Sequence, residues 1–190
     1  MITKVEITRK IVHLATLIIP VGYALTSEEA VILFLVPFFI ALLWVDLLRH
    51  FHSGMASLFR KYFFGRVLRE EEKSAFMGST YFIFSTILTI LLFPKSIAIA
   101  SIFILILSDT AAALIGKWIG RVKIFGKTLE GSLAFLITSL FIVWIYPHLS
   151  RFPGSLAALG ATLIEILPIK VNDNFSIPLV AGAIMFFAGG

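Results

Sequence analysis

The sequence predicts an all-α, polytopic membrane protein with about seven transmembrane helices and one interfacial helix. Of its 190 residues, 59% are hydrophobic and only 14% are charged, whereas an ordinary soluble domain has about 25% charged residues. Seven apolar runs also follow one another along the chain, and a bilayer core needs about 20 apolar residues per helix. Because the chain has no cysteine, its chemistry depends on carboxylate, imidazole, hydroxyl and cationic groups.

The apolar runs are predicted to be the transmembrane helices. They are residues 11–27, 30–45, 74–94, 96–116, 131–150, 152–164 and 175–190. Several are shorter than the ideal span, which tilting or local thinning of the bilayer accommodates. A signal peptide would also explain the first run, but Glu6 lies among its basic residues and no small-x-small cleavage site precedes Ser27. We therefore expect a single membrane-embedded catalytic domain over residues 1–190.

The distribution of positive charge predicts the orientation. If the seven runs alternate in direction, 14 of the 16 Lys and Arg residues fall on one side, and only Lys95 and Arg151 fall on the other. Short cytoplasmic loops are enriched in Lys and Arg, so we expect the N-terminus and the active site to be cytoplasmic. The net charge of +5 does not indicate a nucleic-acid partner, because the basic residues are scattered between apolar runs.

The segment 51–73 is too charged to span a membrane. Its apolar residues recur every three to four positions, with basic residues between them. This spacing is typical of an amphipathic helix that lies on an anionic membrane surface. We expect a cytoplasmic interfacial helix here, and a gate over the active site is the alternative.

Few ionisable residues lie within or beside the apolar runs. Each is a functional candidate, since a charge in the bilayer is costly unless it is paired or hydrated. Asp109 is followed by three small alanines that leave room for a ligand or metal ion. His13 and Glu165 are candidates for proton transfer. Asp46 lies three residues before Arg49, a spacing that predicts a structural ion pair.

The segment between the fourth and fifth runs combines cations and glycines with a helix start, which suits phosphate groups. The predicted nucleotide-binding residues here are Gly116, Lys117, Gly120, Arg121, Lys127, Thr128, Gly131 and Ser132. A Walker A motif is excluded, because Arg121 occupies the position of its first glycine. Asp109 and Glu130 supply the two carboxylates that suit a Mg²⁺ ion bridging nucleotide phosphates.

Three blocks of the sequence occur in a familiar order. They are Glu6-x-x-Arg9-Lys10-x-x-His13, then Ser108-Asp109-Thr110-Ala-Ala-x-x-x-Gly116 with Lys127-Thr128-x-Glu130-Gly131-Ser132, and finally Glu165-x-x-Pro168 with Asp173-Asn174-x-x-Ile177-Pro178. Together they resemble the group of dolichol kinases, phytol kinases and CTP-dependent diacylglycerol kinases over nearly the whole chain. The middle block is also similar to phosphatidate cytidylyltransferases.

The resemblance implies transfer of the γ-phosphate of CTP to a long-chain lipid alcohol, which could be a polyprenol or dolichol, phytol or geranylgeraniol, or diacylglycerol. It implies that the nucleotide and metal site contains Asp109, Lys127, Thr128, Glu130, Gly131 and Ser132. Arg9, Lys10 and Asn174 match family positions that we expect to contribute to nucleotide binding. The expected catalytic residues are His13, Asp109, Lys127 and Glu165, although the resemblance assigns no individual role to His13 or Glu165.

Two other functions remain open at this point. A cytidylyltransferase would use the same CTP pocket to make a CDP-lipid and release pyrophosphate, and its resemblance suggests a homodimer. A transporter would need acidic residues distributed through the membrane depth, whereas the acids here are concentrated toward one side.

Overall fold

The computed structural model describes residues 4–51 and 76–189, which form helices and one two-stranded antiparallel hairpin. The elements are α1 (Lys4–Ala15), α2 (Ile18–Leu25), α3 (Glu28–Phe51), α4 (Gly78–Leu92), α5 (Lys95–Phe103), a π-helical turn (Ile104–Ser108), α6 (Asp109–Trp118), β1 (Lys123–Ile124), β2 (Lys127–Thr128), α7 (Leu129–Ile145), α8 (Arg151–Ile166) and α9 (Asp173–Gly189). The predicted all-α class is therefore confirmed apart from the hairpin. The predicted interfacial helix at 51–73 lies outside the described residues, except for Phe51 at the end of α3.

Each of the seven apolar runs falls on helical structure. Within the described ranges, two 24-residue helical segments are long and apolar enough to cross a membrane, Glu28–Phe51 and Lys95–Trp118, with mean hydropathy values of 2.7 and 2.2. Only 11% of the apolar window of Glu28–Phe51 is buried inside the protein. A core helix of a soluble protein would be mostly buried. The exposure of this apolar helix therefore favours a membrane protein.

The first apolar run is divided between two helices, α1 and α2, and the span at 11–27 stays a prediction. Pro20 lies in the first turn of α2 and has no backbone N–H with which to bond the Thr16 carbonyl four residues earlier. That carbonyl instead accepts the backbone N–H of Ile19 at 2.9 Å, and the Thr16 hydroxyl donates to the carbonyl of His13 at 2.5 Å. The chain therefore turns at residues 16 and 17, between α1 and α2.

The segment Lys95–Trp118, hereafter the rod, contains α5, the π-helical turn and α6. The π-helical turn at Ile104–Ser108 ends immediately before Asp109. Such a turn has i→i+5 hydrogen bonds, and it changes the angular position of every side chain that follows it. The turn is buried, and the Ser108 hydroxyl accepts the Ser139 hydroxyl of α7 at 2.8 Å.

The helix ends gather at two ends of the bundle. At the first, the charged end, an ion pair joins Glu6 to Lys117, and Lys127 pairs with Asp173. At the opposite end, the Lys95 ammonium group donates to the carbonyl of Thr26 at 2.7 Å. The contacts at the charged end thus join the start of α1 to the end of the rod, and the hairpin to the start of α9.

Asp46 links α3 to the start of α4. Its carboxylate is 1% exposed and accepts hydrogen bonds from the Arg49 guanidinium at 2.8 Å, the Met77 backbone N–H at 3.0 Å and the Thr80 hydroxyl at 2.5 Å. The predicted ion pair with Arg49 is confirmed. The carboxylate also satisfies the N–H of Met77, which would otherwise lack a partner at the helix start.

Small residues let the last helices approach one another closely. A Cβ added to Gly154 would lie 2.3 Å from a Val143 methyl carbon, and one added to Gly160 would lie 2.2 Å from the Ile184 side chain. Buried hydroxyl groups bond to carbonyls of their own helix, as Thr162 does to Ala158 at 2.7 Å. Both features are typical of helix packing in an apolar environment.

Replacing Asp46 by alanine is expected to destabilise the fold strongly, because the Arg49 guanidinium would lose its buried carboxylate partner, and the Met77 N–H and the Thr80 hydroxyl would lose their acceptor. Loss of one partner of a buried ion pair costs about 3–5 kcal/mol. Thermal unfolding in detergent measures the effect as a lower Tm, with the exposed Glu29→Ala variant as the control. Equal Tm values for the two variants would contradict the role of Asp46.

Candidate active site

Asp109 lies at the first position of α6 and is paired with a cation from α1. The Lys10 ammonium group donates to the Asp109 carboxylate at 2.6 Å and to its backbone carbonyl at 3.3 Å. The side chain of Lys10 is 10% exposed and that of Asp109 is 26% exposed. The pair is therefore screened from solvent but remains partly accessible on the carboxylate side.

His13 lies one helical turn after Lys10 and faces the same carboxylate. Its Nε2 atom is 3.6 Å from the Asp109 Oδ2 atom. The imidazole ring also packs edge-on against Phe82 of α4, with 5.8 Å between ring centroids. Lys10, His13 and Asp109 thus form one cluster, hereafter the Asp109 cluster.

A second ion pair joins α1 to the rod at the charged end. The Lys117 ammonium group contacts the carboxylate of Glu6. Burial raises the pKa of the Glu6 carboxyl, but the Lys117 hydrogen bond and the charges of Lys117, Arg9 and Lys10 outweigh it and lower the pKa overall. Together with Lys10, this contact fixes α1 against the rod at two levels.

Lys127 is held by two acidic residues from the end of the chain. Its ammonium group is 3.1 Å from the Glu165 carboxylate and 2.8 Å from that of Asp173, and it also contacts the Glu165 carbonyl. The Ser132 hydroxyl donates to the other carboxylate oxygen of Glu165 at 2.9 Å. Lys127, Ser132, Glu165 and Asp173, hereafter the Lys127 cluster, connect the hairpin with α7, α8 and α9.

The three glycines predicted to bind phosphate pack the end of the rod and the loop that follows it against the start of α7. A Cβ added to Gly131 would lie 2.8 Å from the Ala112 carbonyl oxygen, and one added to Gly116 would lie 2.6 Å from the Thr128 hydroxyl oxygen. A Cβ on Gly120 would meet the Gly116 carbonyl oxygen at 2.1 Å. The same Thr128 hydroxyl caps α7 by accepting the Gly131 N–H at 3.2 Å. These glycines are therefore required for close backbone approach.

Glu130 stabilises the hairpin. Its carboxylate accepts the backbone N–H groups of Arg121 at 2.9 Å and Val122 at 3.3 Å. Hydrogen bonds from the backbone of Glu130 itself and of Arg121 lower the pKa of this exposed carboxyl.

The Asp109–Glu130 metal pair stays a prediction. Across residues 4–51 and 76–189, the structure contains no group of three or more His, Asp or Glu side chains that could hold a metal ion. One or two protein carboxylates together with phosphate oxygens and water are a usual set of ligands for Mg²⁺.

Asn174 holds α9 against α4. Its side-chain amide donates to the Gly78 carbonyl at 3.2 Å, and its backbone carbonyl accepts the Ser85 hydroxyl at 2.6 Å. The sequence analysis did not select Asp173, the partner of Lys127, as a site residue. Its sequence signals were its place in the third block of the resemblance and its place beside Asn174 in a loop rich in Asx residues, where such residues are common.

Comparison with known proteins finds relatives of this chain. No protein-family model and no solved structure match the chain. An uncharacterised protein of Rickettsia prowazekii is 33% identical over 184 residues, which cover 92% of this chain and 90% of that protein. CTP-dependent diacylglycerol kinase 1 of Saccharomyces cerevisiae is 27% identical over 215 aligned positions, covering 97% of this chain and 73% of that protein.

A third relative carries a different kinase name. The probable phytol kinase 1 of Glycine max is 32% identical over 130 residues, 58% of this chain and 43% of that protein. This chain is similar to the CTP-dependent lipid kinase group. These relatives confirm the resemblance drawn from the three sequence blocks, while the two kinase names cover two different lipid alcohols.

A substitution at Gly131 tests the close packing of α7 against the rod. Gly131→Ala is expected to lower the Tm, because the new Cβ would meet a backbone oxygen that cannot move independently, and overpacking costs about 1–3 kcal/mol. Gly22→Ala is the matched control, since a Cβ there meets nothing within 4 Å. A Gly131→Ala protein as stable as the Gly22→Ala protein would contradict the packing role.

Proposed function

We propose that the protein is an integral membrane kinase that transfers the γ-phosphate of CTP to the hydroxyl group of a long-chain lipid alcohol. The main support is the Asp109 cluster, which presents a carboxylate, an ammonium group and an imidazole beside apolar helices. A lipid hydroxyl reaches such a site through the apolar surroundings, and the nucleotide reaches it from the charged end. The name of the Saccharomyces cerevisiae relative, CTP-dependent diacylglycerol kinase 1, favours CTP as the donor.

The proposed topology has seven spans, with the N-terminus and the charged end in the cytoplasm. The alternating helix ends, the exposed apolar side chains of α3 and the excess of Lys and Arg at the charged end support it. In this topology the rod is one span, and residues 11–27, which include the end of α1 and all of α2, form another. A homodimer stays a prediction. The mass of the protein particle in detergent, corrected for bound detergent, measures the oligomeric state.

The proposed chemistry balances around the γ-phosphorus atom. The lipid hydroxyl oxygen forms a bond to this phosphorus, and the bond to the β–γ bridging oxygen breaks, so CDP leaves. The hydroxyl proton passes to the pair formed by His13 and Asp109. Lys10, Arg121 and Lys127 offset the charge on the phosphates. A Mg²⁺ ion, with Asp109 as its protein ligand, would supply further charge neutralisation when bound with the nucleotide.

Glu165 and Asp173 are proposed to position Lys127. Both carboxylates contact its ammonium group, and Ser132 fixes the carboxylate of Glu165. On the opposite side of the site, Lys117 contacts Glu6 and thereby holds α1 in place. This assigns Glu165 a role in orientation, where the sequence left its role open.

Labelled CTP tests the reaction directly. Purified protein in detergent is expected to transfer label from [γ-³²P]CTP to one or more alcohols in a panel of diacylglycerol, phytol, geranylgeraniol and dolichol. Label from [α-³²P]CTP is expected to stay in the aqueous phase. The reverse pattern, with α-label in the lipid and γ-label released as pyrophosphate, would establish a cytidylyltransferase instead.

Asp109→Asn is expected to lower kcat by about 10²-fold or more, because it removes the charge that receives the proton and pairs with Lys10. Glu29→Gln, an exposed carboxylate at the opposite end, is the matched control and should keep normal turnover. Thermal unfolding of both variants separates loss of chemistry from loss of fold. Near-normal kcat in a folded Asp109→Asn protein would refute the arrangement.

Asp173→Asn is expected to raise the KM for CTP severalfold while changing kcat less, since Lys127 would lose one of its two carboxylate contacts. The conservative Asp173→Glu variant should recover part of the affinity. Steady-state kinetics over a range of CTP concentrations give both constants. An unchanged KM for CTP in Asp173→Asn would contradict a positioning role.

A further inference from the structure

The hairpin at the charged end exposes a group of large apolar side chains. These side chains, hereafter the hairpin surface, belong to Trp118, Ile119, Val122 and Phe125. Trp118 is 77% exposed and Phe125 is 67% exposed. Clustered apolar exposure of this kind marks a surface that contacts another molecule.

Phe125 occupies the tip of the hairpin in a strained backbone conformation. It has a φ of 47°, and the following Gly126 has a φ of 86°. Two consecutive positive φ values between the paired residues Ile124 and Lys127 define a type I′ turn, which favours Asn, Asp or Gly at its first central position. A bulky aromatic residue is unfavourable there, so the requirements of the turn do not explain this ring. A contact outside the chain would explain it.

Positive charges lie beside the apolar side chains. Arg121 and Lys123 are exposed and alternate along the chain with Val122 and Phe125. Such a combination of aromatic and basic side chains matches the boundary between anionic headgroups and acyl chains, where Trp is enriched and each basic residue attracts anionic lipid. An acidic protein would match the charges, but it would not explain four apolar side chains at the end of a membrane helix.

We propose that the hairpin surface inserts into an anionic lipid bilayer at the level of the headgroups. Trp118 and Phe125 supply the buried apolar area, while Lys123 binds lipid phosphates or carboxylates. The Val122 carbonyl accepts the Leu129 N–H at 2.9 Å, and Glu130 bonds the N–H groups of Arg121 and Val122. The inserted hairpin is therefore held to the start of α7. The proposal does not depend on the phosphoryl transfer described above.

Because the chain has no cysteine, a single reporter can be introduced at Val122→Cys and labelled with a polarity-sensitive fluorophore. The full-length protein is reconstituted into vesicles of phosphatidylcholine alone or of phosphatidylcholine with phosphatidylglycerol. Both preparations carry a nitroxide near the acyl carbonyl region. The expected result is a blue-shifted label that the nitroxide quenches, with severalfold stronger quenching in the phosphatidylglycerol vesicles. High salt should reduce this difference.

A label at Lys170→Cys, on the loop between α8 and α9, is the control position and should stay water-exposed. Within the Val122 reporter protein, Phe125→Asn fits the turn but removes the ring, so it should shift the label toward water. Lys123→Glu should do so only in the anionic vesicles. A blue-shifted but unquenched label would indicate a protein contact and overturn the proposal, as would equal quenching in both lipid compositions or no effect of Phe125→Asn.

Discussion

The ion pair between the Lys10 ammonium group and the Asp109 carboxylate joins the N-terminal helix to the rod. Both side chains are largely withdrawn from water, so each charge depends on the other for compensation. This dependence fixes the rotation of α1, since Lys10 must face the rod. His13, one turn further on, is brought to the same carboxylate as a consequence.

The two clusters of the candidate site are joined through the contact between the rod and α7. On this contact, the hydroxyls of Ser108 and Ser139 bond near the π-helical turn, and Gly116 packs against Gly131 near the charged end. The apolar environment explains why such contacts are so close, because small residues and hydroxyl pairs hold helices together where hydrophobic burial contributes little. Rigid contact between these helices fixes the distance between Asp109 and the hairpin that carries Lys127.

Hydropathy and charge predicted the helical segments and the charged end of the bundle, because apolar run length and basic loops are local properties of the sequence. Pro20 was a local signal for the break before α2, but the length of the apolar run indicated a single helix. The hairpin was not predictable, since its turn places Phe125 where Asn or Gly is usual. The Lys127–Asp173 contact was also not predictable, because its partners are 46 residues apart.

The π-helical turn before Asp109 accommodates one extra residue in the rod without changing the direction in which Asp109 faces. A π-helical turn amounts to an α-helix with one residue inserted, and it winds less per residue than an α-helix does. The turn at Ile104–Ser108 therefore advances around the helix axis about as far as an α-helix shorter by one residue would. If the same residues adopted regular α-helical geometry instead, Asp109 would rotate by about 100° relative to α5 and would no longer face Lys10. The width of this turn is thus a geometric element of the site.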